Sequence, residues 1–218
     1  MRRSVATLAL LVLMCARSWA HFVLDDFNRS DGALGANWTD IVGAMAVVSN
    51  QAVVGAGDEF ESAAYTGVTL PANQYCEVTV KQVADNSAYL AVTARMSTDG
   101  QEMYLMQTDG SADVGDASVY KVVDGVGSKL FDHGATFSAN DIGGIATVTL
   151  ASGSVKVTAY KNRVATASGI DASSPITSGH CGMNNYSGGA TAVQADDFRA
   201  YSVLCATDGT SGGFRLGC

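Results

Sequence analysis

The sequence predicts an all-β fold, a two-sheet antiparallel β-sandwich of the jelly-roll type. Apolar and polar residues alternate over short runs, which is typical of strands with one buried face. Turn-forming pairs such as Asp109-Gly110, Asp124-Gly125 and Ser152-Gly153 separate these runs. No run keeps a helical period for longer than two turns. The 218 residues include 24 glycines and only 2 prolines, a composition that favours many tight turns.

The predicted strands follow one another at short spacing from the start of the domain to its end. They are Phe22–Leu24, Met45–Val48, Gln51–Val54, Tyr75–Lys81, Tyr89–Met96, Glu102–Gln107, Ser118–Val123, Ser128–Phe131, Ala146–Leu150, Val155–Tyr160 and Val193–Val203. Alternation in the fourth strand predicts that Cys76, Val78 and Val80 share one face. Ser49-Asn50 is predicted to be the turn between the second and third strands.

The first twenty residues have the pattern of a signal peptide. Arg2 and Arg3 form a basic start, the apolar stretch 6–15 is too short to span a bilayer, and Ser18-Trp19-Ala20 fits a cleavage site. We therefore expect a secreted, extracellular protein with no membrane span after processing. The predicted organisation is a signal peptide at 1–20, a β-sandwich at 21–204 and a C-terminal tail at 205–218.

The charge balance restricts the class of partner. The formal charge is −8, and cleavage after Ala20 would remove Arg2, Arg3 and Arg17 and make it −11. Phosphate backbones repel a protein of this charge, so nucleic acid is excluded as an expected partner. An acidic surface suits cations or neutral glycans.

Four cysteines remain after the expected cleavage, and an even number in a secreted chain indicates disulfides. Four cysteines allow three pairings. We expect Cys205 to pair with Cys218 and so close the Gly-rich tail, which leaves Cys76 to pair with Cys181. The alternative for the second pair is two buried free thiols.

Three segments carry a family resemblance: Asp25–Trp38, which reads DDFNRSDGALGANW, Gly169–Met183, and Ala195–Arg199, which reads ADDFR. Their order resembles the concanavalin A-like lectin/glucanase superfamily in its laminin G-like branch. The resemblance implies two antiparallel sheets in which the first and last strands are adjacent. Phe27 and Phe198 would then anchor the paired terminal strands in the core.

The resemblance also implies a structural calcium where the terminal strands meet. The repeated Asp-Asp-Phe segments would gather four carboxylates there, and calcium prefers oxygen ligands. The expected ligands are Asp26 and Asp197 first, then Asp25 and Asp196. The alternative is that these carboxylates cap turns or pair with the arginines that follow them, Arg29 and Arg199.

A non-catalytic module that binds extracellular glycans or surface polymers is the first functional hypothesis. Sugar rings stack on aromatic side chains, and their hydroxyls need amide or carboxylate partners. The candidate contacts, of which the last three are expected in a Gly-rich loop, are Trp38, Tyr104, Tyr120, Asn184, Asn185 and Tyr186. The alternatives are a core role for Trp38 and simple turn chemistry for the Asn-Asn-Tyr segment.

Two further hypotheses remain open. One is a structural or adhesive surface protein of a virion or cell envelope, which would self-associate. The other is a polysaccharide hydrolase or lyase, but the E-x-D-x-E strand motif of the glucanases is missing. Glu59 and Glu61 are the nearest substitute, and we expect both to be solvated. A groove with aromatic residues on the concave sheet face would favour binding, whereas a flat aliphatic face would favour a structural role.

Overall fold

A computed structural model of the chain describes residues 22–53, 57–82, 88–108, 117–189 and 194–203. These residues form sixteen β-strands and no α-helix, so the predicted all-β class is confirmed. Within the same ranges no helix has the length and hydropathy that crossing a bilayer requires. In chain order the strands are β1 (Phe22–Asp25), β2 (Gly32–Ala33), β3 (Trp38–Val42), β4 (Ala46–Val48), β5 (Gln51–Val53), β6 (Gly57–Tyr65), β7 (Gln74–Gln82), β8 (Ala88–Met96), β9 (Met103–Thr108), β10 (Ser118–Val123), β11 (Val126–Asp132), β12 (Ile142–Thr149), β13 (Val155–Lys161), β14 (Val164–Asp171), β15 (His180–Gly189) and β16 (Gln194–Ser202).

The strands form two antiparallel sheets that pack face to face as the predicted sandwich. Nine strands make one sheet in the order β14-β13-β12-β7-β16-β5-β4-β2, with β1 also paired to β16. Seven strands make the other in the order β11-β10-β9-β8-β15-β6-β3. Val78 and Val157 of the first sheet and Val92 and Met183 of the second belong to one core between the sheets.

Alternation along β7 follows the prediction. Cys76, Val78 and Val80 are fully buried in the core between the sheets. Glu77 points to the opposite, outer face, where Arg163 of the β13–β14 turn contacts its carboxylate at 2.8 Å. The salt bridge explains how a carboxylate can be buried on an outer face.

The terminal strands are adjacent, as the resemblance implies. β1 pairs antiparallel with β16, and the register places Asp25 opposite Phe198. Phe27 and Phe198 are both fully buried, so the two Asp-Asp-Phe segments anchor this end of the sandwich. Asp197 and Phe27 have positive φ, of 48° and 50°, which turns the chain sharply at both segments.

A disulfide between Cys76 and Cys181 joins the two sheets through the core. Cys76 lies on β7 and Cys181 on β15, with Cα atoms 5.7 Å apart. This pairing confirms the expectation and excludes the alternative of two free thiols. The expected Cys205–Cys218 bridge, the tail and the signal peptide lie outside the described residues.

Two turns have the backbone that their sequence predicts. Ser49 and Asn50 between β4 and β5 have φ of 52° and 63°, and Asp124 and Gly125 between β10 and β11 have φ of 51° and 73°. Two consecutive positive φ values define the type I′ hairpin turn.

Five strands, β2, β3, β6, β14 and β15, have no counterpart among the predicted ranges. Asn184–Tyr186 belongs to β15 rather than to a loop. β15 pairs with β6 on one side and β8 on the other, so ladder hydrogen bonds from two neighbours hold its polar, Gly-rich sequence extended.

Candidate functional site

A groove of about 410 Å³ crosses the outer face of the seven-stranded sheet. Alternation in β6, β8 and β15 sends one set of side chains into the core and the other set into this groove. A second, outer apolar cluster that includes Ala91, Met103 and Leu105 supports its floor.

Three aromatic side chains form a continuous row along one side of the groove. The register places Tyr186 of β15 opposite Phe60 of β6 and opposite Tyr89 of β8. The ring centroids of Phe60 and Tyr186 are 4.6 Å apart, and those of Tyr186 and Tyr89 are 5.9 Å apart. Phe60 is 54% exposed although it is a large apolar side chain. We call these three residues the aromatic row.

The floor beside the aromatic row is polar and made of small side chains. Asn184 of β15 lies opposite Ser62 of β6 and Ala91 of β8, and Ala91 lies opposite Gln107 of β9. Val42 of β3 extends this line beyond Ser62. Five strands at about 4.8 Å spacing give the floor a width of about 19 Å across the strands.

Two turns form the opposite wall of the groove. Gly125 of the β10–β11 turn donates its N–H to the carbonyl of Gln101 in the β8–β9 turn, at 3.1 Å. Asp99 Oδ1 accepts hydrogen bonds from the Ser97 hydroxyl at 2.6 Å and from the Gln101 N–H at 3.1 Å. These hydrogen bonds lower the pKa of Asp99, so its carboxylate is ionised at neutral pH.

The phenol of Tyr89 is a neutral group at the edge of the floor. Burial raises its pKa to about 12, and the Gln107 side chain opposes this rise. A neutral phenol can both donate and accept a hydrogen bond. The groove therefore offers amides, phenols and one carboxylate next to an apolar platform.

Three of the expected sugar-contacting residues, Tyr120, Asn184 and Tyr186, belong to this face, and Tyr120 and Asn184 line the groove directly. Sequence reasoning missed Phe60, Tyr89 and Gln107. The available signal was alternation, because Phe60 stands between two glutamates and must face away from both. Which distant strands would align these aromatics depends on pairing, which the local pattern does not contain.

Trp38 and Tyr104 are corrected from ligand contacts to core residues. Trp38 is 8% exposed and packs against Tyr65 and Phe198, with ring centroids 5.3 and 4.7 Å away. Tyr104 is fully buried and donates to Asp171 Oδ2 at 2.6 Å. Neither side chain can reach a sugar in the groove, because each lies between the sheets.

Asn185 is also corrected from a ligand contact to a core residue. It is fully buried, and its side-chain NH₂ lies 3.9 Å from the sulfur of Met45. Alternation explains the difference from its neighbours, since Asn184 and Tyr186 face the groove and Asn185 faces the core.

The four aspartates expected to bind calcium are used by the protein itself. Asp25 accepts two hydrogen bonds from Arg29, at 2.8 and 3.1 Å, and Asp196 pairs with Lys81 at 3.3 Å. Asp26 accepts the N–H of residue 28 at 3.1 Å, and Asp197 lies 3.8 Å from Arg199. These contacts match the alternative expectation, in which the carboxylates cap turns or pair with neighbouring cationic side chains.

Burial raises the pKa of Asp25, but hydrogen bonds from Arg29 and Trp38 outweigh this effect and lower it overall. Throughout the described ranges, no three His, Cys, Asp or Glu side chains are grouped so that they could hold a metal ion. Three of the four aspartates at the junction of the terminal strands therefore pair with a cationic side chain, and the calcium site stays a prediction.

The carboxylates needed for glycoside hydrolysis are not paired on the groove face. Glu61 is 6% exposed and lies opposite the inward-facing Asn185, which corrects the expectation that it is solvated. A Cβ at Gly43 would lie 2.5 Å from its Cγ, so the β3–β4 turn packs directly against the Glu61 side chain. The side chain of Glu59 is outside the described part. Asp99 is the one carboxylate among the described groove residues, whereas the reaction uses two.

No protein-family model matches the chain, and no curated protein matches it. Solved structures do match it. A carbohydrate-binding module, CBM66 from Bacillus subtilis, has a TM-score of 0.55 at 16% identity, covering 76% of this chain and 92% of the module. The Emp47p carbohydrate recognition domain has a TM-score of 0.53 at 11% identity, covering 84% and 95%.

A third similar structure, described as a native glycosidic hydrolase, has a TM-score of 0.54 at 13% identity and covers 83% of this chain and 94% of the hydrolase. Identities this low establish the fold and nothing finer. The chain therefore has the β-sandwich fold that these three proteins share.

Proposed function

We propose that the chain is a secreted, non-catalytic module that binds extracellular glycans or surface polymers in the groove on its seven-stranded sheet. The aromatic row carries this proposal. Phe60, Tyr89 and Tyr186 place three rings side by side on the outer face of the sheet, and Phe60 is 54% exposed there. Burying about 100 Å² of apolar surface under a sugar ring would contribute roughly 2.5 kcal/mol.

The polar floor supplies the second requirement of sugar recognition. Asn184, Gln107 and Ser62 line the groove on the same sheet face as the aromatic row and bring two amides and a hydroxyl to it. Hydroxyl groups removed from water need such partners, because an unpaired hydroxyl costs about 1–3 kcal/mol. At about 19 Å across, the floor could hold several sugar units laid across the strands.

The comparisons support this proposal through carbohydrate-binding neighbours. Both a carbohydrate-binding module and a carbohydrate recognition domain share the fold at TM-scores above 0.5. We further propose the laminin G-like branch of the fold, on the paired Asp-Asp-Phe segments. Secretion rests on the N-terminal sequence.

Binding of the full chain to a broad panel of immobilised polysaccharides and a glycan array tests the proposal. We expect saturable binding to at least one glycan, with no release of reducing sugar from it. Absence of binding to every glycan would reject the module, and steady release of reducing sugar would replace it with a hydrolase.

Self-association as a surface protein is a second candidate, favoured by the edge strand β14. Val164 and Ile170 of this strand are 68% and 64% exposed, and no charged residue lies between them. Natural sheets usually protect an edge with charge. Sedimentation of the full chain tests this candidate: a large assembly supports it, and a monomer at high concentration removes it.

A further inference from the structure

The groove has a one-sided distribution of charge. Asp99 is the only residue with a formal charge among the described groove residues. Its Oδ1 is occupied by Ser97 and Gln101, whereas Oδ2 accepts no hydrogen bond from any described residue. One carboxylate oxygen therefore remains available at the wall that faces the aromatic row.

The two turns that form this wall contain further carboxylates and no cation. Glu102 and Asp124 are both exposed and lie within the turns that the Gly125–Gln101 hydrogen bond joins. Stretches 97–102 and 123–127 contain no lysine, arginine or histidine. The wall is therefore negatively charged without internal compensation.

The cations on the neighbouring strands do not neutralise the wall. Lys121 of β10 points into the sandwich, where it contacts Asp171 at 2.9 Å. Lys129 of β11 lies opposite Tyr120 but pairs with Asp132 at 2.9 Å. Arg95 of β8 is fully buried and donates to carbonyls and hydroxyls of the core. No described cation is left to receive an anionic ligand in the groove.

We propose that the groove selects glycans without acidic groups and that Asp99 is the residue that sets this specificity. The inference rests on the proposed function, because it concerns the same groove. The Asp99 carboxylate accepts a hydrogen bond from a hydroxyl of a neutral sugar. It repels the negative charge of a uronate, sialate or sulfate in the same position. Repulsion at an exposed site is screened over a Debye length of about 8 Å at physiological salt, so Asp99 acts on the sugar units that lie next to the wall.

A matched pair of ligands and a matched pair of variants test this inference. The ligands are the best neutral oligosaccharide from the glycan panel and the same oligosaccharide with its C6 hydroxymethyl groups oxidised to carboxylates. The variant is Asp99→Asn, which keeps an oxygen for Ser97 and Gln101. The control is Asp26→Asn, which makes the same charge change in an exposed turn of the same type away from the groove.

We expect the wild-type chain to bind the oxidised ligand about tenfold more weakly than its neutral parent at about 20 mM salt. Asp99→Asn should recover about fivefold of this loss, and the recovery should disappear at about 0.5 M salt. Asp26→Asn should recover little. Neutral binding should weaken by about two- to fivefold in Asp99→Asn, because the remaining oxygen serves Ser97 and Gln101 and an NH₂ group replaces the oxygen that accepts the sugar hydroxyl. The recovery is therefore measured as the change in the ratio of the two ligand affinities, and Asp26→Asn should leave neutral binding unchanged.

Two outcomes would overturn the inference while leaving glycan binding intact. One is equal or tighter binding of the oxidised ligand by the wild-type chain. The other is equal recovery in the two variants, which would assign the preference to overall charge rather than to Asp99. Failure of every neutral and acidic glycan to bind would instead reject the proposed function itself.

Discussion

The indole N–H of Trp38 donates a hydrogen bond to Oδ2 of Asp25, with Nε1 and Oδ2 2.7 Å apart. Arg29 binds the same carboxylate from the other side, and the Trp38 ring packs 4.7 Å from that of Phe198. A residue expected to bind sugar and a residue expected to bind calcium are therefore partners in one structural unit. This unit fastens β1 and β3 to the last strand.

Replacing Trp38 by phenylalanine should destabilise the chain by about 2 kcal/mol, because it removes a hydrogen bond to a buried carboxylate and leaves a small cavity. Denaturant unfolding measures the change, and a double-mutant cycle with Asp25→Asn should give a coupling of about 1 kcal/mol. Glycan affinity should be unchanged. A loss of glycan affinity with unchanged stability would instead show that Trp38 contacts the ligand.

Chelation of divalent metal should leave the thermal midpoint of unfolding unchanged. The four aspartates of the Asp-Asp-Phe segments already have arginine, lysine or backbone N–H partners, so they do not need a cation. Differential scanning calorimetry with EDTA and with added calcium measures this directly. A rise of several degrees in the thermal midpoint on addition of calcium would instead support a calcium site at these segments.

Removing the disulfide with the double substitution Cys76→Ala and Cys181→Ala should cost about 4–5 kcal/mol. The bridge closes a loop with a sequence separation of 105 residues, and long loops lose the most entropy when they are closed. Chemical denaturation measures the difference. A cost below about 1 kcal/mol would show that the bridge constrains the unfolded chain little.

Low pH should reduce the free energy of unfolding, because it protonates the carboxylate of Asp171. Burial raises the pKa of this carboxyl, but Tyr104 and Lys121 outweigh burial and hold it below the ordinary value of 3.8. A carboxylate with a lowered folded-state pKa stabilises the fold above the unfolded value and loses that contribution as the pH falls through the folded-state pKa.

Asp171→Asn should therefore cost about 3 kcal/mol at neutral pH, and this cost should shrink below about pH 4. Denaturant midpoints across the pH range give the comparison. Asp132→Asn, at the exposed pair with Lys129, serves as the control with a much smaller effect. A cost for Asp171→Asn that does not depend on pH would contradict the assignment.

The sequence predicts those parts of the fold that local patterns determine. Alternation specifies β7, the nearly continuous apolar run Tyr89–Met96 specifies β8, and Ser49-Asn50 specifies a turn with two positive φ values. β14 escapes prediction because its small residues, Val-Ala-Thr-Ala-Ser-Gly, show no clear alternation. β15 escapes because Asn-Asn-Tyr-Ser-Gly-Gly is turn-like in composition, and only its two neighbouring strands hold it extended.

The groove is less predictable than the strands that form it. Phe60, Tyr89 and Tyr186 are far apart in the chain, and strand pairing alone brings them into one row. Sequence chemistry identifies residues of the right type, such as Tyr186 and Asn184, but also Trp38 and Tyr104, which packing buries. Burial and register depend on residues that are distant in the chain, so composition cannot separate the residues that face the groove from those that face the core.

The aromatic row provides the most direct test of glycan binding in the groove. The measurement is the affinity of the full chain for its best glycan in the double variant Phe60→Ala and Tyr186→Ala, by isothermal titration calorimetry. Val164→Ala, at another exposed apolar residue, is the control. We expect the double variant to bind at least about 100-fold more weakly, since each lost stacking contact removes about 1.4 kcal/mol or more, and the control to bind normally. Unchanged affinity in a folded double variant would contradict the account and place the glycan elsewhere on the protein.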